Sequence, residues 1–182
     1  MYKRQVLCFG TQVLETYIAS SDLFGYVDIF HSDQELSITS FQPIYTKTPG
    51  LNPENVVNGS AQHNDAVWFY GDNGLLIRCK AGVCEEAVKP TSVEPDFIDA
   101  WNTGEKLVFL TQDTAGYGLY TLTNGGLNTQ VADWTVTAFD ASAVDPGDTM
   151  TSITGNLDLG LVIGGYNPLS NSWLVWSHQV ED

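Results

Sequence analysis

A strand–turn–strand unit that returns along the chain most constrains the fold. Its clearest copy is residues 105–126, EKLVFLTQDTAGYGLYTLTNGG, read as two short apolar strands, 106–110 and 118–122, joined by a polar loop. Leu107-Val108-Phe109-Leu110 is apolar without alternation and has the length of a strand covered on both faces. Asn124-Gly125-Gly126 supplies residues that tolerate a reversal. The loop 111–117 (TQDTAGY) has a counterpart at 20–26 (SSDLFGY), both S/T-x-D-x-x-G-Y, with an offset of 113 − 22 = 91. Residues 66–78 (AVWFY, GDNG, LLIR) and 160–176 (GLVI, GGYNPLSN, then WLVW after Ser172) give two further copies. With Ile18, Phe69, Phe109 and Ile163 equivalent, the steps are 69 − 18 = 51, 109 − 69 = 40 and 163 − 109 = 54. Self-similarity at roughly 40–50 residues points to propeller blades or a related array.

Each copy has room for about four strands. The first takes 6–9, 13–19, 26–30 and 35–41, followed by a connector marked by Pro43, Pro49, Gly50 and Pro53. The second opens at 55–61 and closes at 83–88; the third opens at 97–101 and closes at 129–134; the fourth opens at 150–154 and runs out without an outer strand. The expected class is all-β, a β-propeller with about four blades at 6–47, 52–90, 95–139 and 148–182, an open arc or fragment of a larger ring. A β-sandwich is the rival. Its strands have one wet face and alternate, whereas 66–70, 107–110 and 161–163 do not. No stretch keeps a helical period, and no apolar run has the length of a membrane span.

The third copy, LVFLTQDTAGYGLYTLTNGG, resembles blades of TolB-type bacterial propellers: an apolar strand, an Asp-Gly loop and an LY strand before a Gly turn. The fourth, ITGNLDLGLVIGG and WLVWS, resembles sialidase-type (BNR) repeat blades. The resemblance implies a binding or scaffolding module. It also implies an alternative, a fragment of a sialidase-like glycan-active enzyme whose catalytic blades lie elsewhere. Such enzymes hold an acid sugar with arginines, and beyond Arg4 the chain has only Arg78.

Residues 1–5, MYKRQ, resemble the translated end of a sequencing-library adapter, which makes the chain a metagenomic fragment whose fold begins at residue 6 and whose first five residues pack against nothing. Without that segment the formal charge moves from −15 to 5 − 22 = −17. So few basic residues argue against a nucleic-acid partner, which needs clustered Lys and Arg on phosphate. A solvated acidic surface suits extracellular, cell-surface or virion surroundings.

No catalytic motif is present. There is no G-x-S-x-G elbow and no phosphate-cradling G-x-x-x-x-G-K, and His31, His63 and His178 sit at unrelated points of their repeats, read as surface or loop histidines. Asp22, Asp72 and Asp113 recur between the two central strands of their copies. They are read either as a ring of carboxylates able to bind Ca²⁺ or, the preferred reading, as side chains that cap their own turns. With Tyr117 and Tyr166 they are the candidate binding residues for a protein or carbohydrate ligand; no other cofactor is expected. The five tryptophans, Trp68, Trp101, Trp134, Trp173 and Trp176, are assigned to packing before sugar stacking. Cys79 and Cys84 flank a short turn and face each other within disulfide reach, which favours an oxidising compartment; Cys8 is left over as a small buried residue.

Overall fold

The structure, a computed structural model, describes residues 4–9, 15–33, 40–49, 55–89, 94–122, 133–138, 144–145, 147–156 and 160–178. Within them the chain forms separate antiparallel sheets, each strand pairing with the next in sequence. The first sheet holds β1 (Arg4–Phe9), β2 (Thr16–Ser21), β3 (Val27–Ser32) and β4 (Gln42–Lys47). The second holds β5 (Val57–His63), β6 (Ala66–Gly71), β7 (Leu76–Lys80) and β8 (Val83–Glu86). The third holds β9 (Asp96–Asn102), β10 (Leu107–Asp113), β11 (Gly116–Leu122) and β12 (Trp134–Ala138). The fourth holds β13 (Thr149–Asn156), β14 (Gly160–Asn167) and β15 (Ser172–His178).

The opening strands β1, β5, β9 and β13 stand side by side in that order, so each sheet starts near a common axis and works outward. Successive sheets stack face to face. Tyr17, Ala19, Val27 and Ile29 of the first meet Phe69, Ile77 and Cys79 of the second. Trp68, Tyr70 and Leu76 on the other face of the second meet Phe109, Tyr120 and Leu122 of the third. Val108, Leu110 and Leu119 of the third meet Ile153, Leu161 and Ile163 of the fourth. A strand with neighbours on both faces has no wet side, which is why β6 is buried along its whole length and why 107–110 lack alternation. The two-sheet sandwich is thereby excluded: the described strands form four successive sheets, with β6 and β10 in different ones.

Several boundaries differ from expectation. The outer strand of the first sheet is β4, placed where the prolines suggested a connector. An edge strand spares the ladder hydrogen bond that Pro43 cannot donate. The expected strand 35–41 falls mostly on 34–39, outside the described residues. The third sheet's outer strand starts at Trp134, where the expected one ended; residues 123–132, including Asn124-Gly125-Gly126, are outside the described set. The polar loop 111–117 is mostly strand: Thr111 pairs with Gly118, Gln112 with Tyr117 and Asp113 with Gly116, leaving a two-residue turn. Likewise Gly164, Gly165 and Tyr166 continue β14. A Cβ at Gly165 would collide with the Thr149 carbonyl oxygen, so the close approach of β13 requires glycine there. At the amino end β1 includes Arg4 and Gln5, which pair with Ser21 and Ser20, so the expectation that residues 1–5 pack against nothing is corrected for these two.

Two hairpin turns show their chemistry plainly. Asn64-Asp65 (φ 47° and 59°) joins β5 to β6, and Ala81-Gly82 (φ 49° and 73°) joins β7 to β8. Both central residues of each are left-handed, as a type I′ turn requires. The second turn brings Cys79 opposite Cys84, and the two are joined as a disulfide with Cα atoms 4.1 Å apart.

Candidate binding rim

The turns between second and third strands gather at one rim of the arc, where each meets the innermost strand of the next sheet. The side chain of Asn55, ahead of β5, donates to the Gly25 carbonyl at 3.4 Å, and the Val57 N–H donates to Ser21 Oγ at 3.3 Å. One sheet on, the Asn73 N–H donates to Asp96 Oδ1 at 2.8 Å and the Gly74 N–H to the Pro95 carbonyl at 2.8 Å. At the third junction the Met150 N–H donates to the Tyr117 hydroxyl at 3.3 Å. At the first and third junctions an inner-strand amide finds its acceptor on the preceding sheet, and at the second the turn amides of Asn73 and Gly74 donate to the start of the next sheet, so backbone groups on both sides are satisfied across the junctions.

The carboxylates of that rim are largely turn chemistry. Asp22 Oδ1 accepts from the Phe24 and Tyr26 N–H groups at 2.9 and 3.2 Å, and Asp113 Oδ1 from the Ala115 N–H at 2.7 Å. In the fourth sheet Asn167 does the same for Leu169 and Ser170 at 2.9 and 3.1 Å, so the motif needs an acceptor oxygen and no charge. Among the described residues no group of three or more His, Cys, Asp or Glu side chains is placed to hold a metal ion.

Asp72 stands apart from the other two. Its Oδ1 accepts from Asn58 Nδ2 at 2.6 Å, and the same amide reaches the Phe97 carbonyl at 3.0 Å. Asp72 and Asp96 then line a groove of about 380 Å³ together with Asn58, Gln112, Thr149 and Thr151 and the apolar Ile98 and Met150. Among the described residues no lysine or arginine lines it. Of the residues singled out in the sequence, only Asp72 lies in this groove. Tyr117 serves the inter-sheet bond to Met150, and Tyr166 lies on the fourth sheet with its ring 6.3 Å from that of Trp173. Asp96, Asn58 and Gln112 escaped sequence reading, because the groove is assembled from three sheets and no local pattern marks it.

The tryptophans divide unequally. Trp68 and Trp134 are buried in the core between the second and third sheets, and Trp101 and Trp176 pack against the core between the third and fourth. Trp173 is 86% exposed, contrary to the packing role expected of it. His63 is buried, correcting its reading as a surface histidine; Nδ1 lies 3.1 Å from Asn102 Oδ1 and Nε2 3.0 Å from Asn64 Nδ2. Burial pushes its pKa down, against a smaller upward pull from the Asn102 contact. His31 stacks against Tyr17 at 4.7 Å. Burial raises the Tyr17 hydroxyl to about 12, and that oxygen accepts from the Gly82 N–H of the disulfide-bearing hairpin at 3.0 Å.

Seventeen solved chains have a similar fold. One is the crystal structure of the β-propeller domain of Cps50 (Swd1) from Myceliophteria thermophila, with a TM-score of 0.53 at 8% identity, over 96% of this chain and 53% of that one. The fold is a β-propeller. This propeller chain spans about half the length of the structure it matches. No protein-family model and no curated protein matches its sequence.

Proposed function

We infer that this propeller is a non-catalytic binding module whose ligand is a protein, and that the rim groove receives a basic side chain of that partner. The observation that carries this is the groove's composition: Asp72 and Asp96, four neutral polar residues and the apolar Ile98 and Met150, with no basic residue among the described lining, in a chain of formal charge −15. Such a lining offers acceptors to a lysine or arginine head and apolar contact to its stem. Glycan-active chemistry of the sialidase kind finds no support, because Arg78, the single arginine beyond Arg4, is paired with Glu85 at 3.0 Å. The TolB-type and BNR-type likenesses add only the general theme of a repeat scaffold.

The test uses fluorescent peptides carrying Lys or Arg and matched peptides with Gln in their place, measured by anisotropy at low salt. Preference for the basic peptides, lost at least tenfold in Asp72→Asn/Asp96→Asn with an unchanged circular dichroism spectrum, is the expected result. Equal binding by both peptide sets overturns the reading.

The Cys79–Cys84 disulfide supports an extracytoplasmic or virion setting. Thiol counting on denatured, unreduced protein is expected to find one reactive thiol, from Cys8; three would remove the argument.

A further inference from the structure

The turn between β2 and β3 presents large apolar side chains to solvent on the rim that holds the acidic groove. Leu23 is 71% exposed, Phe24 64% and Tyr26 42%. The turn itself is fixed. Asp22 Oδ1 accepts from the Phe24 and Tyr26 N–H groups, the Gly25 N–H donates to the Asp22 carbonyl, and the Asp22 N–H donates to the Tyr26 carbonyl. This closure does not require leucine or phenylalanine. In the third sheet the same capping bond, from the Ala115 N–H to Asp113 Oδ1, is made with Thr114 and Ala115 at the matched positions, 114 − 23 = 91 and 115 − 24 = 91. In the second sheet the turn carries Asn73 and Gly74. The exposure is not that of a turn awaiting a neighbour either. Like the turns of the second and third sheets it meets the sheet that follows it, here through Asn55 and Val57. Adjacent large apolar side chains held in water by a rigid turn add nothing to the core, and such a patch beside polar groups marks a contact surface.

We propose that Leu23 and Phe24 form an apolar knuckle that works with the groove to hold one extended polypeptide segment, an apolar side chain of the partner packing on the knuckle while its basic side chain enters the groove. This rests on the reading of the groove as the site of a basic side chain. The chain that joins the two places sets the spacing. The Gly25 carbonyl accepts from the Asn55 side chain at 3.4 Å, and Asn58, which lines the groove, is three residues further on. Three residues reach at most about 11 Å. An extended peptide covers that distance in three or four residues, at about 3.3 Å each. Charge complementarity at Asp72 and Asp96 selects a basic partner residue, and the knuckle adds an apolar one at a fixed distance from it. Because the turn is already closed by its own hydrogen bonds, binding orders little of this side of the contact.

The test measures anisotropy on the full chain at low salt, with Gln-based peptides that carry Arg alone, Phe alone, or Arg and Phe three, four or five residues apart in either order. At least one peptide with both residues is expected to bind at least about fivefold tighter than the Arg peptide. Leu23→Thr/Phe24→Ala leaves the capping Asp22 in place and gives the turn the residue types of the third sheet. It is expected to abolish that gain while keeping the preference for Arg over Gln; Phe24→Ala alone serves the same comparison should the double variant fail to fold. A preference for Arg with no gain from Phe at any spacing overturns the inference and leaves the groove reading standing. So does a gain that survives in the folded variant. Equal binding of Arg and Gln peptides removes the groove reading, and this inference with it.

Discussion

The junction between the second and third sheets and the outer side of the fourth are built on the same lattice of positions, yet one is filled with buried aromatic rings and the other is exposed. Phe109 at the junction meets Trp68, Tyr70, Phe97 and Trp134 with ring centroids 5.4 to 6.4 Å apart. Three of those contacts are edge-on, the geometry that aromatic pairs prefer. On the fourth sheet the aromatic pair Tyr166–Trp173 faces outward. Residue type does not separate the two regions. What separates them is a facing sheet: one covers the junction residues, and none of the described sheets covers Trp173 and Val175, so burial here is a property of the array rather than of any one strand.

The largest effect that tests this contrast is expected at the junction. Phe109→Ala should cost about 3–5 kcal/mol, through lost transfer energy plus the cavity left behind. Urea unfolding measures it, and a change near zero would place β10 at an exposed surface and dissolve the comparison. Next comes the staple in the second sheet. The disulfide closes a loop with a sequence separation of only 5, so reduction should cost less than the roughly 3 kcal/mol expected for a fifteen-residue loop. Unfolding with and without reductant reads this; a larger loss would mean that the pair holds the hairpin against the first sheet through the Gly82–Tyr17 hydrogen bond.

The third effect is titratable. His63 has its pKa below the usual 6.5 in the folded chain, chiefly through burial. Between the folded and unfolded values the unfolded chain binds more protons, so stability rises with pH across that window. The His63 contribution is therefore complete above about 6.5 and is lost as pH falls toward the folded value. His63→Gln should flatten that slope in melting curves; an unchanged slope assigns it to other groups. The smallest effect belongs to the exposed face: Val175→Ala should stay within about 0.5 kcal/mol. A cost like that of Phe109→Ala would mean the face is covered within one chain.

The central hairpins were legible in the sequence because inner strands have no wet side. Their apolar runs, from Ala66 to Tyr70 and from Leu107 to Leu110, do not alternate and admit few other placements. The outer strands were not. β4 and β12 carry mostly polar or exposed residues and make one ladder each, so the prolines around β4 outweighed its weak strand signal. The groove was partly legible. Asp72 declared itself through the recurrence of the turn, but Asp96 belongs to the start of an inner strand, and nothing within one repeat shows that the two meet. The exposure of Trp173 was illegible for the same reason, since a strand's own residues do not show which of its faces a neighbouring sheet covers.

That each sheet begins at the axis and finishes outward also bears on synthesis. A newly emerged sheet can close its own hairpins at once, because every strand pairs with its sequence neighbour. Its far face stays uncovered until the next sheet is translated. From Phe69 to Phe109 the repeat is 109 − 69 = 40 residues. At translation speeds of about 5–20 residues per second, that leaves an apolar face open for roughly 2–8 s at each step. Trp68, Tyr70 and Leu76, buried against the third sheet in the finished fold, pass through that interval uncovered by it.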